Sequence, residues 1–206
     1  QERCFEGLPH GAEKKQTAAN VFTTKSAEVT IDGLHQSHVV LGIEVDSLYG
    51  DGRYADGLFS NLLGGPGMNS LLNVELRERR GLVYPVESSL TRFTSSGLMT
   101  VYFGCDPDDT ARCLDLCRRT ARKLADTPAG TLERRLDRAK RQWLGQLAIG
   151  SENRENRIMG AARALLQTGR IITDAEATEH IQTIKAGQIK SRAEALLSPA
   201  TLIFHP

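Results

Sequence analysis

The chain has 206 residues, of which 40% are hydrophobic, 25% charged and 5% aromatic. This composition excludes collagen-like, low-complexity and intrinsically disordered proteins and is typical of a soluble globular protein. The 26 Lys and Arg residues are balanced by 25 Asp and Glu residues, and the net charge of +1 gives no global attraction to nucleic acid or to an anionic membrane. A chain of this length is expected to bury one good core.

Residues 1–25 are predicted to be a linker or irregular lead-in, and residues 26–206 a single domain. The polar N-terminal stretch lacks the charged-then-apolar layout of a signal peptide. No apolar run approaches the roughly 18–20 residues of a membrane span. The chain does not begin with Met, so we expect Gln1 to be an artificial start. None of this indicates a compartment, and the localisation stays unknown at this point.

Strand patterns dominate the first half of the domain. Ala27, Val29 and Ile31 alternate with polar neighbours and predict a half-buried strand, and a more continuously apolar strand follows. A helix then ends at a glycine-rich turn, and two paired strands come after it. The second strand, the helix, the turn and the two paired strands are predicted at residues 38–45, 54–63, 64–67, 83–91 and 98–104.

A further helix is predicted between the glycine-rich turn and the paired strands. Asn69 is placed to cap it, and Leu71, Leu72 and Leu76 lie on one side. Gly81 follows at the position where a helix C-terminus favours a left-handed residue.

The pattern becomes helical after Pro107. Five helices are predicted: one with an apolar stripe over residues 114–124, one opening at Thr131, a third with an apolar stripe over 158–166, a fourth capped by Asp174, and a fifth at 186–197. Residues 201–204 could close the sheet as a last strand. Strands followed by helices predict an α+β two-layer sandwich, a mainly antiparallel sheet with helices packed on one face.

The cysteines and histidines point to no site of their own. The four cysteines include no C-x-x-C pair, which excludes a zinc ribbon, and Cys113 and Cys117 are predicted to be small buried hydrophobes. Glu176, Glu179 and His180 form an altered version of H-x-x-E-H that lacks the first histidine, which we interpret as chance. The sequence contains no G-x-S-x-G motif and no phosphate loop. By these residues alone the chain holds no self-sufficient active site.

Basic residues cluster on the predicted helices, as in the run Arg118, Arg119, Arg122 and Lys123. Acidic residues such as Asp115 are interleaved at spacings that suit ion pairs on a helix surface. The clusters are therefore predicted to be solvated helix faces, and nucleic acid is not expected as a partner.

A distinctive run of residues follows the glycine-rich turn, leading through Leu-Arg-x-x-x-Gly-Leu-x-Tyr into a strand. Its members are Met68, Asn69, Leu76, Arg77, Gly81, Leu82 and Tyr84. With this run, residues 64–104 strongly resemble the C-terminal, zinc-free half of pitrilysin/insulinase-type metallopeptidases, the inverzincins, in which the same turn, Met-containing helix start and motif occur. The resemblance covers about residues 26–206, and one departure is Pro85, where many relatives have Ser. Because proline removes a ladder donor, this strand is expected to be an edge strand or to bend locally.

The resemblance implies a clamshell of two related α+β halves. The first half binds zinc through H-x-x-E-H and a distant Glu. The second half closes the chamber and contributes an Arg and a Tyr, which match Arg77 and Tyr84. The guanidinium would hold a substrate carbonyl, and the phenol would donate to the developing oxyanion, a contribution of about 3 kcal/mol.

The resemblance therefore implies that this chain supplies no zinc ligand and no other cofactor site, and that zinc is bound by an N-terminal half. That half is the expected partner, on the same polypeptide or on a separate one, and a peptide is the expected substrate. Alone, the chain is expected to be inactive.

Two functions stay open at this point. The first is the substrate-binding, chamber-closing half of a zinc metalloendopeptidase, with Arg77 and Tyr84 as its site residues. The second is a non-catalytic structural or interaction subunit of the same fold, of the processing-peptidase partner or core-protein type. The presence of both Arg77 and Tyr84 favours the first. The sequence leaves open whether the parent protein is active and whether the chain self-associates through the surface that its other half would cover.

Overall fold

The computed structural model describes residues 25–206, which form a five-stranded sheet and six α-helices. The strands are β1 (Ala27–Thr30), β2 (Ser37–Val45), β3 (Val83–Arg92), β4 (Gly97–Cys105) and β5 (Ala200–His205). The helices are α1 (Arg53–Gly64), α2 (Thr110–Ala125), α3 (Ala129–Glu152), α4 (Arg154–Thr168), α5 (Asp174–Thr183) and α6 (Ala186–Ala195). Apart from Lys25, the predicted lead-in over residues 1–25 lies outside the described residues, as does Cys4.

The sheet has the order β1-β5-β2-β4-β3, and all pairs except β1 with β5 are antiparallel. The last strand of the chain therefore lies inside the sheet, between β1 and β2. The expected strand at 201–204 is confirmed. Its interior position joins both ends of the domain in one sheet. β1 differs from its prediction: all four of its residues are exposed, since this strand lies at the edge and pairs only with β5.

One face of the sheet is covered by helices. Val39, Leu41 and Ile43 of β2 are almost fully buried, whereas Glu44 on the other face is exposed. In β4 the buried residues likewise alternate with half-buried ones. Because side chains of a strand alternate between faces, this pattern places the core between the sheet and one helical layer. The predicted α+β two-layer sandwich is confirmed.

Two side chains that were predicted to cap helices do not do so. The Asn69 side chain forms a pair of hydrogen bonds with the amide of Gln142 on α3 and caps no helix. The segment behind it is a short π-helix, Asn73–Glu78. At α5 the cap is Thr173, whose hydroxyl accepts from the Glu176 N–H, so Asp174 is the first helical residue.

The apolar stripe over residues 158–166 forms a helix but enters no core. None of the described residues of α4 is buried, and Leu166 is 79% exposed. The periodicity correctly predicted the helix, and among the described residues its apolar stripe stays exposed. The helix contacts α3.

The predicted roles of the cysteines and basic residues are borne out where the structure describes them. Cys113 and Cys117 are buried in the core, and burial raises the pKa of the Cys117 thiol to about 12, which keeps it protonated and inert. Arg119 pairs with Asp115 on the surface of α2 at 2.7 Å. Among residues 25–206, no helix combines the length and the apolarity that crossing a membrane requires.

Candidate functional site

The two predicted site residues lie on either side of a tight chain reversal. Arg77 is near the end of the π-helical segment, and Tyr84 is the second residue of β3. Between them Gly81 has a φ of +62°, and its N–H donates to the Arg77 carbonyl at 2.8 Å. The Leu82 N–H donates to the Leu76 carbonyl at 2.9 Å. This is the left-handed helix end that glycine favours, as the sequence predicted.

The reversal brings the two side chains together. The guanidinium carbon of Arg77 lies 5.1 Å from the centroid of the Tyr84 ring, which is a cation–π distance. A weaker contact of 3.6 Å joins Arg77 Nε to Glu78 Oε1. Tyr84 is 78% exposed, so its phenol can meet a ligand from solvent. The structure therefore places both residues at one surface point, seven positions apart in sequence and in direct contact.

Tyr84 lies on a bent sheet edge. In the described part of the chain β3 pairs with β4 alone, and its ladder has a register irregularity between Val83 and Val86. Pro85 falls inside this irregularity, where its missing N–H costs no ladder hydrogen bond. Both the edge position and the local bend that Pro85 predicted are confirmed. A bulge of this kind changes the direction of a side chain, and here it lies next to the exposed Tyr84.

A groove of about 430 Å³ runs beside the pair. Its walls are Arg77 and Tyr84, the glycine-rich turn after α1, and the start of β3; the other lining residues include Asn73, Glu87 and Ser88. The turn approaches β3 so closely that a Cβ on Gly64 would lie 3.0 Å from the Ser88 backbone nitrogen. This wall therefore requires glycine, and the turn is a packing element rather than a phosphate loop.

Replacement of Gly81 tests whether the chain reversal before Tyr84 requires a glycine. Gly81→Ala is expected to reduce the free energy of unfolding by about 1–2 kcal/mol, because an L-residue is strained at φ +62°. Nothing lies within 4 Å of the added Cβ, so the loss would come from backbone strain and not from a clash. Urea denaturation measures it.

Gly145→Ala is the matched control, since Gly145 is an exposed glycine inside α3 with equal space around it. This change should be neutral or stabilise by about 0.5–1 kcal/mol. Equal effects of the two substitutions would show that the reversal at Gly81 carries no strain.

Comparison with known proteins places the chain in a family. Residues 2–143 match the family model described as the peptidase M16 inactive domain. The chain belongs to the peptidase M16 family. The resemblance to the zinc-free half of pitrilysin/insulinase-type peptidases is thereby confirmed, and the chain is an M16 inactive domain.

Individual relatives agree with this assignment. An uncharacterized zinc protease of Mycobacterium tuberculosis is 33% identical over 164 residues, which is 79% of this chain and 36% of that protein. A protease from Helicobacter pylori has a similar fold, with a TM-score of 0.79 and 18% sequence identity. The match covers the whole of this chain and 50% of the Helicobacter pylori chain. A chain of complex III2 from Candida albicans is also similar, with a TM-score of 0.72, 17% identity, and coverage of 88% and 45%. The M16 domain thus spans a third to a half of these proteins.

The residues of this M16 domain that the structure describes do not fit a zinc site. Within residues 25–206 no group of three or more His, Cys, Asp or Glu side chains is placed to hold a metal ion. Glu176, in the incomplete H-x-x-E-H sequence, is instead bound by the Arg170 guanidinium, which lowers the pKa of the Glu176 carboxyl. His38 Nδ1 lies 2.8 Å from the Tyr102 hydroxyl. These observations assign no metal to the described residues.

Sequence reasoning missed the other residues that line the groove. Asn73 lies four positions before Arg77, so helical spacing alone could have placed both on one side. Glu87 and Ser88 could not be found in this way, because the irregularity at Pro85 shifts the alternation of β3.

Proposed function

We propose that this M16 domain is the substrate-binding, chamber-closing half of a zinc metalloendopeptidase. The observation that carries the proposal is the contact of Arg77 with an exposed Tyr84 beside a groove at a sheet edge. Two hydrogen-bond donors of different chemistry thus meet a surface on which an extended peptide could lie. An edge strand also offers backbone groups to which such a peptide can pair as an added strand.

The two side chains would have different tasks. The Arg77 guanidinium carries fixed donors and would hold a carbonyl of the bound peptide in register, in both the ground state and the transition state. The Tyr84 hydroxyl would donate a hydrogen bond to the oxygen that becomes negative when water attacks the scissile carbonyl. Contact with the Tyr84 ring restricts the guanidinium, so the two donors are positioned together.

Zinc belongs to the partner in this proposal. The described residues do not fit the metal, so an N-terminal zinc-bearing half would supply it, on the same polypeptide or as a separate subunit. The Mycobacterium tuberculosis relative supports this division, because it is named a zinc protease and the match covers only 36% of it. The chain alone should neither bind zinc stoichiometrically nor cleave peptides.

Replacement of Arg77 tests the binding role. In the complete two-half enzyme, Arg77→Gln is expected to raise KM for a peptide substrate by about ten- to a hundred-fold, because a charge-assisted hydrogen bond to the substrate is lost. The value of kcat should change much less, since the bond exists before and during the reaction. Steady-state kinetics over a range of peptide concentrations separate the two parameters.

Arg79→Gln is the control, because Arg79 is exposed on the same segment and pairs with Glu75 at 3.0 Å. Its KM should stay at the unchanged value. If both substitutions alter KM equally, general surface charge and not the groove governs peptide binding, and the role of Arg77 is wrong.

The second candidate is a non-catalytic subunit of the same fold. The observation behind this candidate is that the same fold, at 17% identity, occurs in a chain of complex III2 from Candida albicans. In this case the chain would form a stable complex with a partner. The complex would show no peptidase activity, whether or not zinc is present. Gel filtration with the candidate partner half, followed by a peptidase assay of the complex, separates the two proposals.

A further inference from the structure

A second cavity, of about 520 Å³, lies under the helices on the core side of the sheet. Its volume is within the range of small-molecule sites in proteins. Apolar groups supply much of its wall, among them Leu90, Trp143, Leu147 and Ile181. The Trp143 ring extends over Gly57 of α1, where an added Cβ would lie 2.6 Å from the indole.

Two arginines line this cavity, together with uncharged polar residues such as Asn61 and Gln167. Arg92 reaches it from the end of β3, and Arg53 from the start of α1. One terminal nitrogen of Arg92 donates to the Arg53 carbonyl at 2.6 Å. The Arg92 Nε is buried and has no hydrogen-bond acceptor among the residues that the structure describes. A buried donor without an acceptor is costly, and burial lowers the pKa of Arg92.

The neighbouring carboxylates neutralise these arginines only in part. Asp56 accepts from Arg192 Nε at 2.5 Å, and Asp46 accepts from another nitrogen of Arg192 at 3.3 Å. Arg92 comes only within 3.9 Å of Asp56. Three guanidinium groups thus share two carboxylates, which leaves one positive charge in excess beside the cavity.

We propose that this cavity binds a small amphipathic carboxylate, an acid group attached to a short aliphatic or aromatic body. The carboxylate would pair with the accessible part of the Arg92 side chain, which is 21% exposed, and would balance the excess charge. The apolar body would contact Trp143 and Leu90. The cavity shares Gly65, Pro66 and Ser88 with the groove beside Tyr84 but lies on the other side of the glycine-rich turn. The proposal does not depend on the peptidase role.

Trp143 provides a direct readout, because it is the only tryptophan of the chain and lines the cavity. The probes are octanoate and octanamide, which have the same apolar tail and differ in charge. Titration of the 206-residue chain below the micellar range is expected to change the Trp143 emission in a saturable way. Octanoate should bind about ten-fold or more tightly than octanamide.

Two variants assign the binding to this cavity. Arg92→Gln should bring the affinities for octanoate and octanamide to within about two-fold of each other, because the charge-assisted bond is lost. The matched control Arg112→Gln, at an exposed arginine of α2, should keep the preference for octanoate. Ala177→Phe fills the cavity from α5 without changing a charge and should abolish binding of both probes. Circular dichroism checks that each variant folds.

The outcomes separate clearly. A preference for octanoate that is lost in Arg92→Gln and kept in Arg112→Gln supports the proposal. Equal affinities of the unchanged chain for both probes, or no saturable change with either, would overturn it. If Arg92→Gln does not fold, octanoate binding that persists in Ala177→Phe would overturn it independently.

Discussion

Tyr84→Phe is expected to lower kcat of the complete two-half enzyme by about a hundred-fold or more, with KM nearly unchanged. The substitution keeps the ring that contacts Arg77 and removes only the hydroxyl. Under the proposed mechanism this hydroxyl interacts strongly only when the carbonyl oxygen becomes negative. The loss therefore falls on the transition state, and single donors of this kind are worth about 3–4 kcal/mol.

The measurement is steady-state hydrolysis of a peptide at saturating and subsaturating concentrations. Tyr49→Phe is the matched control: it also removes one phenol hydroxyl, from a 53% exposed tyrosine whose hydroxyl donates to the Gln167 carbonyl. Its kcat should be that of the unchanged enzyme. If kcat survives in Tyr84→Phe, Tyr84 has no part in the chemistry, and the groove serves binding alone.

Asp56→Asn is expected to reduce the free energy of unfolding by about 3–5 kcal/mol, the largest stability effect of any single change considered. The Asp56 side chain is fully buried, accepts from Arg192 on α6 and also accepts from the Asp46 N–H at 3.1 Å. Removal of its charge leaves Arg92 and Arg192 without their buried counterion. These contacts join α1, α6 and the end of β2, so the loss should lower the stability of the whole domain.

Urea denaturation measures this effect as a shift of the midpoint at constant slope. Asp115→Asn is the control, because Asp115 is half exposed and pairs with Arg119 on the surface of α2. An exposed pair contributes about 0–1 kcal/mol, so the control should unfold almost at the unchanged midpoint. Similar small shifts for both substitutions would mean that the Asp56 pair adds no more than a surface pair.

Much of the local structure follows from the sequence because local structure has local causes. The apolar run of β2 and the helical spacing of α1 reflect which residues turn to the core. Gly81 predicts a left-handed helix end, because glycine permits a positive φ. Pro85 predicts an irregular edge strand, because proline has no N–H to donate. Gly81, with Arg77 and Tyr84, also supplied the family resemblance.

Tertiary structure alone decided what depends on distant parts of the chain. Local periodicity does not specify that β5 inserts between β1 and β2, because strand order is set by how the whole sheet assembles. The pair of Asp56 and Arg192 joins residues 136 positions apart, which no local pattern indicates.

The same limit applies to α4. An apolar stripe shows that a helix has a face to cover, but only the packing of the other elements decides whether something covers it, and within the described residues that face stays exposed. The sequence thus determined the elements, the family and the candidate pair Arg77 and Tyr84. The folded chain decided the contact of these two side chains, the groove beside them and the arginine-lined cavity, because each is formed by segments that meet only after folding.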